Sequence, residues 1–395
     1  MPIDVDALRA ATPGTANVAH LNNAGAALPS QATLDAVLTH LRLESKIGGY
    51  EAAEEAGEAI AHTRHVVAEL VGASADEIAI TTGDTAAWAK AFWGLVNAGG
   101  IPEGDRVLVD RIAYNSHYLA LLQAAAMRPF TIEIIPSEPD GTLSLDALKS
   151  MLDDRVAMVT ATHIGTHRGL VNPVADVGAA CRAEGIPFYL DACQSIGQLP
   201  VNVHEIGCDV ATGTGRKWLR GPRGTGLLYV RTEFLEQLDP PGIDGAGAIW
   251  TGPDSYELLD DARRFEEFEI SIAGVIGLGV AVDQVLDVGI DDIAARVGEL
   301  AERLRNELSA VGGVTVHDGG RQRSGIVTFS IDGVDDERVK VAARQAAVNV
   351  SVSSAPNALL DMRSEGHATV VRASPHAYNT DDELDRLLAV VRAFS

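Results

Sequence analysis

The chain has 395 residues, of which 46% are apolar, enough for a large core and two or three domains. Its net charge of −24 argues against nucleic acid and anionic membranes as partners, because both require a basic surface. Three cysteines without paired spacing, no basic-then-apolar leader and no run of eighteen apolar residues predict a cytoplasmic protein without a membrane span.

Apolar runs alternate with helical patterns through the first two thirds of the chain, which predicts an α/β sheet covered on both faces. The predicted strands are 77–81, 106–110, 131–135, 156–160, 187–190, 209–212 and 226–230. After the loop-like stretch 240–247 the pattern changes, and apolar residues at i, i+3/i+4 spacing predict a helix over 293–308. Strands predicted at 326–330 and 369–373 then indicate a small α+β domain.

The run 77–88 predicts a strand, a glycine turn at Gly83 and the start of a helix. Asp84 stands at that start, where a carboxylate can cap the helix. Farther along, the loop 163–173 carries His163 and His167. No cysteine, histidine or acid completes a metal-ligand set at close spacing, so we interpret both as ordinary loop histidines and expect no metal.

The apolar run from Ile186 ends in Asp191 and is interpreted as a buried strand that delivers a carboxylate to the carboxyl edge of the sheet. Ligands bind in the crevice beyond such strand ends, where Asp191, Gln194 and the Lys217 turn can converge. An acid in that place can keep the pyridine nitrogen of pyridoxal phosphate (PLP) protonated. The alternative is that Asp191 caps a helix after the strand.

The stretch 212–226 places Lys217 in a turn rich in glycine and hydroxyl side chains, between two apolar runs. Lysine is sparse in the chain, with five lysines against twenty-six arginines. A sheltered lysine can lose its proton and attack a carbonyl to form a Schiff base. The alternative is a surface lysine in an ordinary loop, and the G-x-x-x-x-G-K-[ST] pattern of a nucleotide-phosphate loop is absent.

Arg372 falls at the end of the predicted strand 369–373, ahead of a helix that opens at Thr380. The planar fork of arginine can hold a carboxylate with two parallel hydrogen bonds. The alternative is a salt bridge to a structural acid.

Two of these segments together resemble the class V aminotransferase family, PLP enzymes of fold type I. The resemblance rests on Asp191-x-x-Gln194, on Thr214-x-Arg216-Lys217 and on the Gly-Pro-x-Gly at 221–224, and it runs through almost the whole chain. It implies that Lys217 is the Schiff-base lysine. Arg216 replaces the histidine that usually precedes this lysine.

The resemblance also implies a complete cofactor site. Its members are Gly83, Asp84, Thr85, Tyr114, Thr166, Asp191, Gln194, Thr214 and Lys217. Backbone N–H groups of 83–85 and the Thr214 hydroxyl would bind the cofactor phosphate. Tyr114 would stack on the ring where relatives carry a histidine, and Thr166 stands in the place of an asparagine that reaches the ring oxygen. Asp191 would contact the ring nitrogen and Gln194 the ring oxygen.

For the substrate, the resemblance implies that Arg372, with Asn23 and Ala24, holds the α-carboxylate. For the fold, it implies a large PLP-binding domain over 20–255 with a mainly parallel seven-stranded sheet. A small C-terminal α+β domain would cover 256–395, with the segment 1–19 packed on it. A homodimer is also implied, although 265–271 lacks the Gly-Thr with which relatives reach the neighbouring subunit's phosphate.

Within the family, the motifs 21–29, 48–53 and 215–226 resemble carbon–sulfur lyases that act on a cysteine sulfoxide conjugate in ergothioneine biosynthesis. Such enzymes release pyruvate and ammonia. A persulfide mechanism is disfavoured, because 350–357 offers serines where cysteine desulfurases carry a mobile cysteine. The open alternatives are another cysteine lyase or desulfurase, an amino-acid epimerase like isopenicillin N epimerase, and a ligand-binding protein without catalysis.

Overall fold

The structure is a computed structural model that describes residues 3–394. Its helices are α1 (Val5–Ala10), α2 (Gln31–Ile47), α3 (Gly49–Glu55), α4 (Gly57–Val71), α5 (Asp84–Asn97), α6 (Asn115–Met127), α7 (Leu145–Met151), α8 (Val174–Glu184), α9 (Val203–Ile206), α10 (Ile272–Val288), α11 (Ile290–Ser309), α12 (Asp336–Gln345), α13 (Leu359–Ser364) and α14 (Asp381–Arg392). Its strands are β1 (Ala19–His20), β2 (Ile78–Thr81), β3 (Arg106–Val109), β4 (Thr131–Ile134), β5 (Val156–Thr162), β6 (Phe188–Asp191), β7 (Val210–Thr214), β8 (Gly226–Val230), β9 (Ala248–Gly252), β10 (Ser255–Leu258), β11 (Val314–Val316), β12 (Val327–Ile331), β13 (Val348–Asn349), β14 (Ser351–Ser354) and β15 (Thr369–Ala373).

A seven-stranded sheet forms the larger part of the fold, in the order β2-β8-β7-β6-β5-β3-β4. Every strand pair is parallel except the two made by β8, which runs antiparallel to β2 and β7. Strands β2, β6, β7 and β8 are buried along their whole length. Burial on both faces explains why these strands appear in the sequence as continuous apolar runs. All seven predicted strands are confirmed, as is the mainly parallel sheet.

The C-terminal part contains a second, antiparallel sheet in the order β11-β12-β15-β14. Its core is formed with the apolar faces of α11, α12 and α14, where α11 contributes Leu300, Leu304 and Leu308. Their spacing of four residues places them on one face of the helix. The predicted helix over 293–308 and both predicted strands are therefore confirmed.

The N-terminal segment contacts the C-terminal sheet region. Strand β1 pairs in parallel with β13, and Arg9 Nη1 donates to Glu383 Oε1 at 2.9 Å. Helix α10, by contrast, contributes Val275, Leu278 and Val282 to the core beneath the large sheet. The domain boundary at residue 255 stays a prediction.

No single helix within residues 3–394 is long and apolar enough to cross a membrane. Helices α10 and α11 reach that length and hydropathy only as a pair, which is bent by 82° at their junction.

Candidate active site

A cleft of about 460 Å³ opens beside the turns that follow β2 and β7. Six of the predicted site residues line it: Gly83, Asp84, Thr85, Tyr114, Thr214 and Lys217. Cys193 and Arg216 line it as well. The carboxyl ends of neighbouring parallel strands meet at one edge of a sheet, so residues distant in sequence converge there.

Lys217 extends into this cleft from a tight turn after β7. The turn is closed by a hydrogen bond from Gly221 N to Gly215 O of 2.7 Å, and Arg220 adopts a positive φ of 61°. Lys217 Nζ lies 3.0 Å from Cys193 Sγ. Burial raises the pKa of the Cys193 thiol, so the neutral thiol is the form that faces the lysine.

The N-terminus of α5 also lines the cleft. Strand β8 approaches this turn so closely that a Cβ added to Gly226 would lie only 2.6 Å from the Cα of Gly83. The first-turn N–H groups of a helix have no partner within the helix, and α5 has fourteen residues to build its dipole. Residues 83–85 therefore present an anion-binding end to the cleft.

The side chain of Asp84 does not cap α5, so the capping alternative is wrong. Its Oδ1 accepts a hydrogen bond from Thr212 Oγ1 at 2.7 Å, and its Oδ2 lies 3.1 Å from His117 Nε2. Burial opposes ionisation, but His117, Lys217 and Thr212 together outweigh it and hold the pKa of Asp84 below its usual value. The carboxylate is thus paired below the helix end, which relieves its conflict with an anion at the backbone N–H groups.

Asp191 ends β6, as predicted, and is buried. Its Oδ1 accepts a hydrogen bond from Cys193 N at 2.9 Å, and its Oδ2 lies 3.4 Å from His117 Nδ1. Burial, with the nearby charge of Asp84, raises the pKa of Asp191 to about 6. His117 was missed by the sequence analysis. A signal existed, since it follows Tyr114 by one helical turn at the start of α6.

Arg372 is buried on β15 and contacts the loop after β5. Its Nη1 donates to the backbone oxygen and the hydroxyl of Thr166, both at 2.9 Å, and its Nε donates to Ser351 Oγ at 3.1 Å. Burial, with the charge of Arg216, lowers the pKa of Arg372 to about 10, so it remains charged at neutral pH. None of its partners among the described residues is a carboxylate, so the structural salt-bridge alternative is wrong.

The polar groups of Gln194 are already paired within the protein. Its Nε2 donates to Ala24 O at 3.1 Å, and its Oε1 accepts from Trp218 Nε1 at 2.9 Å. These two bonds link the N-terminal loop to the lysine turn. The contact predicted between Gln194 and a cofactor oxygen stays a prediction, as do the ligand roles of Tyr114 and Thr166.

Asn23 and Ala24 hold the N-terminal loop against the end of β15. Asn23 Nδ2 donates to Ser374 O at 2.7 Å, its Oδ1 accepts from the Tyr378 hydroxyl, and Ala24 N donates to Ser374 Oγ at 2.9 Å. The Asn23 amide and the Ala24 N–H are therefore already hydrogen-bonded within the protein, and a substrate carboxylate would compete with these bonds. Their substrate role also stays a prediction.

The loop histidines have separate surroundings. Burial lowers the pKa of His163 to about 4, while His167 Nε2 lies 2.8 Å from Asp361 Oδ2 in α13. Arg168 Nη1 and Arg111 Nε reach the same Asp361 carboxylate at 3.2 and 2.9 Å. Neither histidine belongs to a close three-ligand cluster among residues 3–394. Asp84, His117 and Asp191 form such a cluster, with ligand atoms within 4.8 Å of one another.

Comparisons with known proteins match this architecture. The family model for class V aminotransferases matches residues 19–387. A probable hercynylcysteine sulfoxide lyase of Mycobacterium tuberculosis is 33% identical over 383 residues, which cover 96% of this chain and 91% of that protein.

Two solved structures have the same fold. An apo cysteine desulfurase from Thermococcus onnurineus superposes with a TM-score of 0.92 at 26% identity, covering 100% of this chain and 98% of the other. A variant of the cystine C–S lyase C-DES, with glycine covalently linked to its PLP cofactor, gives a TM-score of 0.87 at 21% identity. That match covers 98% of this chain and 99% of the other.

Proposed function

Because the chain belongs to the class V aminotransferase family and is a PLP-dependent carbon–sulfur lyase, we propose that it cleaves hercynylcysteine sulfoxide. In this reaction the substrate loses its α-proton and its Cβ–S bond breaks. The sulfur leaves as a sulfenate, which two equivalents of an external thiol reduce to ergothioneine, forming a disulfide and water. Water converts the three-carbon remainder to pyruvate and ammonia. The similarity to the probable hercynylcysteine sulfoxide lyase supports this choice of substrate.

The cleft suits PLP in charge and in shape. The cleft of about 460 Å³ is lined by a lysine amine and an anion-binding helix end, and the buried Asp191 carboxylate is hydrogen-bonded to Cys193 in its wall. When bound, PLP supplies an aldehyde that joins the substrate amine and a protonated ring that accepts the electron pair left at the α-carbon. We propose that Lys217 holds the aldehyde end, residues 83–85 and Thr214 hold the phosphate, and Asp191 holds the ring nitrogen.

Lys217 and Arg372 are the residues that we expect to act on the substrate. After the substrate amine displaces it, Lys217 Nζ takes the α-proton as the general base. Arg372 holds the α-carboxylate. Its buried charge is free for this role because none of its hydrogen-bond partners in the protein is a carboxylate. The Thr166 and Ser351 contacts orient the guanidinium group before the substrate arrives.

The observation that carries the lyase proposal is that segment 350–357, where desulfurases hold a mobile cysteine, has no cysteine and is held in place by the contacts around it. Here that segment begins with β14, whose Ser351 accepts a hydrogen bond from Arg372. The following α13 is anchored through buried Asp361, which contacts His167, Arg111 and Arg168. A fixed segment without a thiol is consistent with direct release of the sulfur product rather than persulfide transfer.

A cysteine desulfurase is the second candidate, because Cys193 Sγ lies 3.0 Å from Lys217 Nζ. Two features disfavour it as a sulfur acceptor. Cys193 is buried, and burial raises the pKa of its thiol, whereas an attacking sulfur must be a thiolate. Its backbone N–H is also bonded to Asp191, which holds the residue in its turn.

We further propose that the protein is a cytoplasmic homodimer. Aromatic side chains with large exposed fractions support the dimer, since Trp250 is 81% exposed, Tyr50 77% and Phe268 61%. Trp250 pairs across strands with Tyr256, and the rings of Tyr50 and Phe268 are 6.4 Å apart. Aromatic residues are enriched at protein–protein interfaces.

The test is to incubate the purified, PLP-loaded protein with hercynylcysteine sulfoxide and an excess of a thiol reductant, and to measure pyruvate and ergothioneine. We expect both products from the wild type and from Lys90→Ala, a control lysine paired with Glu267 at 3.1 Å. We expect neither product from Lys217→Ala. A PLP-loaded wild type that racemises or desulfurates amino acids but forms no pyruvate from this substrate would refute the proposal.

A further inference from the structure

His117 lies between the carboxylates of Asp84 and Asp191, and all three side chains are buried. We propose that His117 is a positioning residue that, as an imidazolium, keeps the Asp191 carboxylate ionised and fixed in one orientation. This inference rests on the role proposed above for Asp191 at the cofactor's ring nitrogen. A carboxylate there must carry its negative charge to hold a proton on that nitrogen.

Both ring nitrogens of His117 face an acceptor. Nε2 is 3.1 Å from Asp84 Oδ2, and Nδ1 is 3.4 Å from Asp191 Oδ2. A neutral imidazole carries one N–H, so only the imidazolium can donate to both carboxylates. The two carboxylates also lie at different ring nitrogens, which suits a cation between two anions better than a single metal ion bound by all three groups.

The ring plane of His117 is held by Trp88. The two ring centroids are 4.6 Å apart with an interplanar angle of 10°, and Trp88 is itself buried. The face of an indole attracts a cation, so this stacking favours the imidazolium as well as fixing its direction.

Each carboxylate has a second partner on its other oxygen. Asp84 Oδ1 accepts from Thr212 Oγ1 at 2.7 Å, and Asp191 Oδ1 accepts from Cys193 N at 2.9 Å. The bridge from α5 through α6 to β6 is therefore hydrogen-bonded at both ends. A carboxylate fixed in this way cannot rotate freely about its terminal bond, which leaves the position of its charge defined.

The surrounding charges favour the same protonation state. Burial disfavours the charged imidazole, but the charges of Asp191 and Asp84 outweigh burial and raise the pKa of His117. Lys217, from the turn after β7, lowers the pKa of both Asp84 and Asp191. Without His117, two buried carboxylates would face each other with one cation fewer between them, and one would take up a proton.

The first experiment uses apo protein and needs no substrate. Nitrogen-15 NMR of the assigned His117 ring should show both nitrogens protonated at pH 7, above the ordinary histidine pKa of about 6.5. A His117 ring that is neutral at pH 7 in the apo protein would overturn the inference.

The second experiment compares PLP binding by the wild type, His117→Gln and His117→Phe, the last of which keeps an aromatic ring against Trp88. Loss of the cation should raise the pKa of Asp191 and weaken PLP binding about tenfold or more in both variants, one pKa unit being a tenfold effect. His40→Gln is the matched control, because His40 is buried and faces Glu44 at 3.1 Å in α2. Equal PLP affinity in wild type and both His117 variants would overturn the inference. Weaker PLP binding by His117→Gln but not by His117→Phe would show that the ring only packs against Trp88, and would overturn it too.

The third readout is the acidic limb of the kcat profile, which should move to higher pH in His117→Gln because Asp191 then ionises at higher pH. Failure of the substrate proposal would leave the NMR and PLP-binding results unchanged, so the two ideas fail separately. If His117→Gln does not fold, as judged by circular dichroism, the wild-type NMR measurement still decides the question.

Discussion

Replacing Arg372 with glutamine tests the most specific claim made for substrate binding. The guanidinium group is buried, charged and without a carboxylate among its hydrogen-bond partners, so an incoming α-carboxylate would be its counterion. Hydrogen bonds between charged groups contribute roughly 1.5–3 kcal/mol each, so losing a pair costs about 3–6 kcal/mol. That corresponds to a fall in kcat/KM on the order of 10²- to 10⁴-fold.

The same substitution should leave the stability of the apo protein nearly unchanged. Lowering of the Arg372 pKa to about 10 means that its charged form is disfavoured in the fold by roughly 3 kcal/mol. Glutamine removes that penalty and at most three hydrogen bonds, which are worth about 1 kcal/mol each. The two effects offset each other, so the free energy of unfolding should change by no more than about 1 kcal/mol.

The assay measures pyruvate release from the cysteine sulfoxide conjugate and from its α-carboxamide, together with urea unfolding. Wild type should prefer the carboxylate strongly, and Arg372→Gln should lose that preference. Arg386→Gln serves as the control, since Arg386 is an exposed arginine that donates to backbone oxygens. An equal loss of activity on both substrates, or an activity loss that comes with a large loss of stability, would refute the proposed contact between Arg372 and the α-carboxylate.

Three further predictions concern other parts of the molecule. Cys193→Ala should keep most of the pyruvate-forming activity, because no step requires its buried thiol; abolished turnover together with lost sulfide release would favour a desulfurase. Burial and the charges of Asp191 and Asp361 raise the pKa of Asp110 to about 8 in the folded protein. In the unfolded chain the same carboxyl group ionises near pH 4. The free energy of unfolding should therefore decrease between about pH 4 and 8, and Asp110→Asn should remove this decrease; identical pH slopes in urea titrations would contradict this. Trp250→Glu should weaken self-association by at least about thirtyfold, the effect of losing 2 kcal/mol at an interface, and an unchanged sedimentation profile would count against the proposed interface.

The elements of the large sheet were accessible from the sequence because buried parallel strands require continuous apolar runs. Asp191 at the end of β6 and Lys217 in the turn after β7 follow from the same rule, since a polar residue that ends an apolar run marks the edge of the sheet. The capping box at the start of α14, with Thr380 and Glu383, was likewise a local signal.

The partners of the site residues were not accessible in this way. The antiparallel insertion of β8 between β2 and β7 brings Gly83 close to Gly226, and nothing in either segment specifies that pairing. Asp84 could not be distinguished from a helix cap, because its partners Thr212 and His117 are 128 and 33 residues away.

The sequence by itself therefore determined the strands of the large sheet, the helix over 293–308 and the residue types that the chemistry needs, because these depend on local periodicity and on short motifs. Only the tertiary structure decided which charges face each other. His117 between two carboxylates and Arg372 without one are products of long-range packing, and the protonation state of a buried group depends on its neighbours in space rather than in sequence.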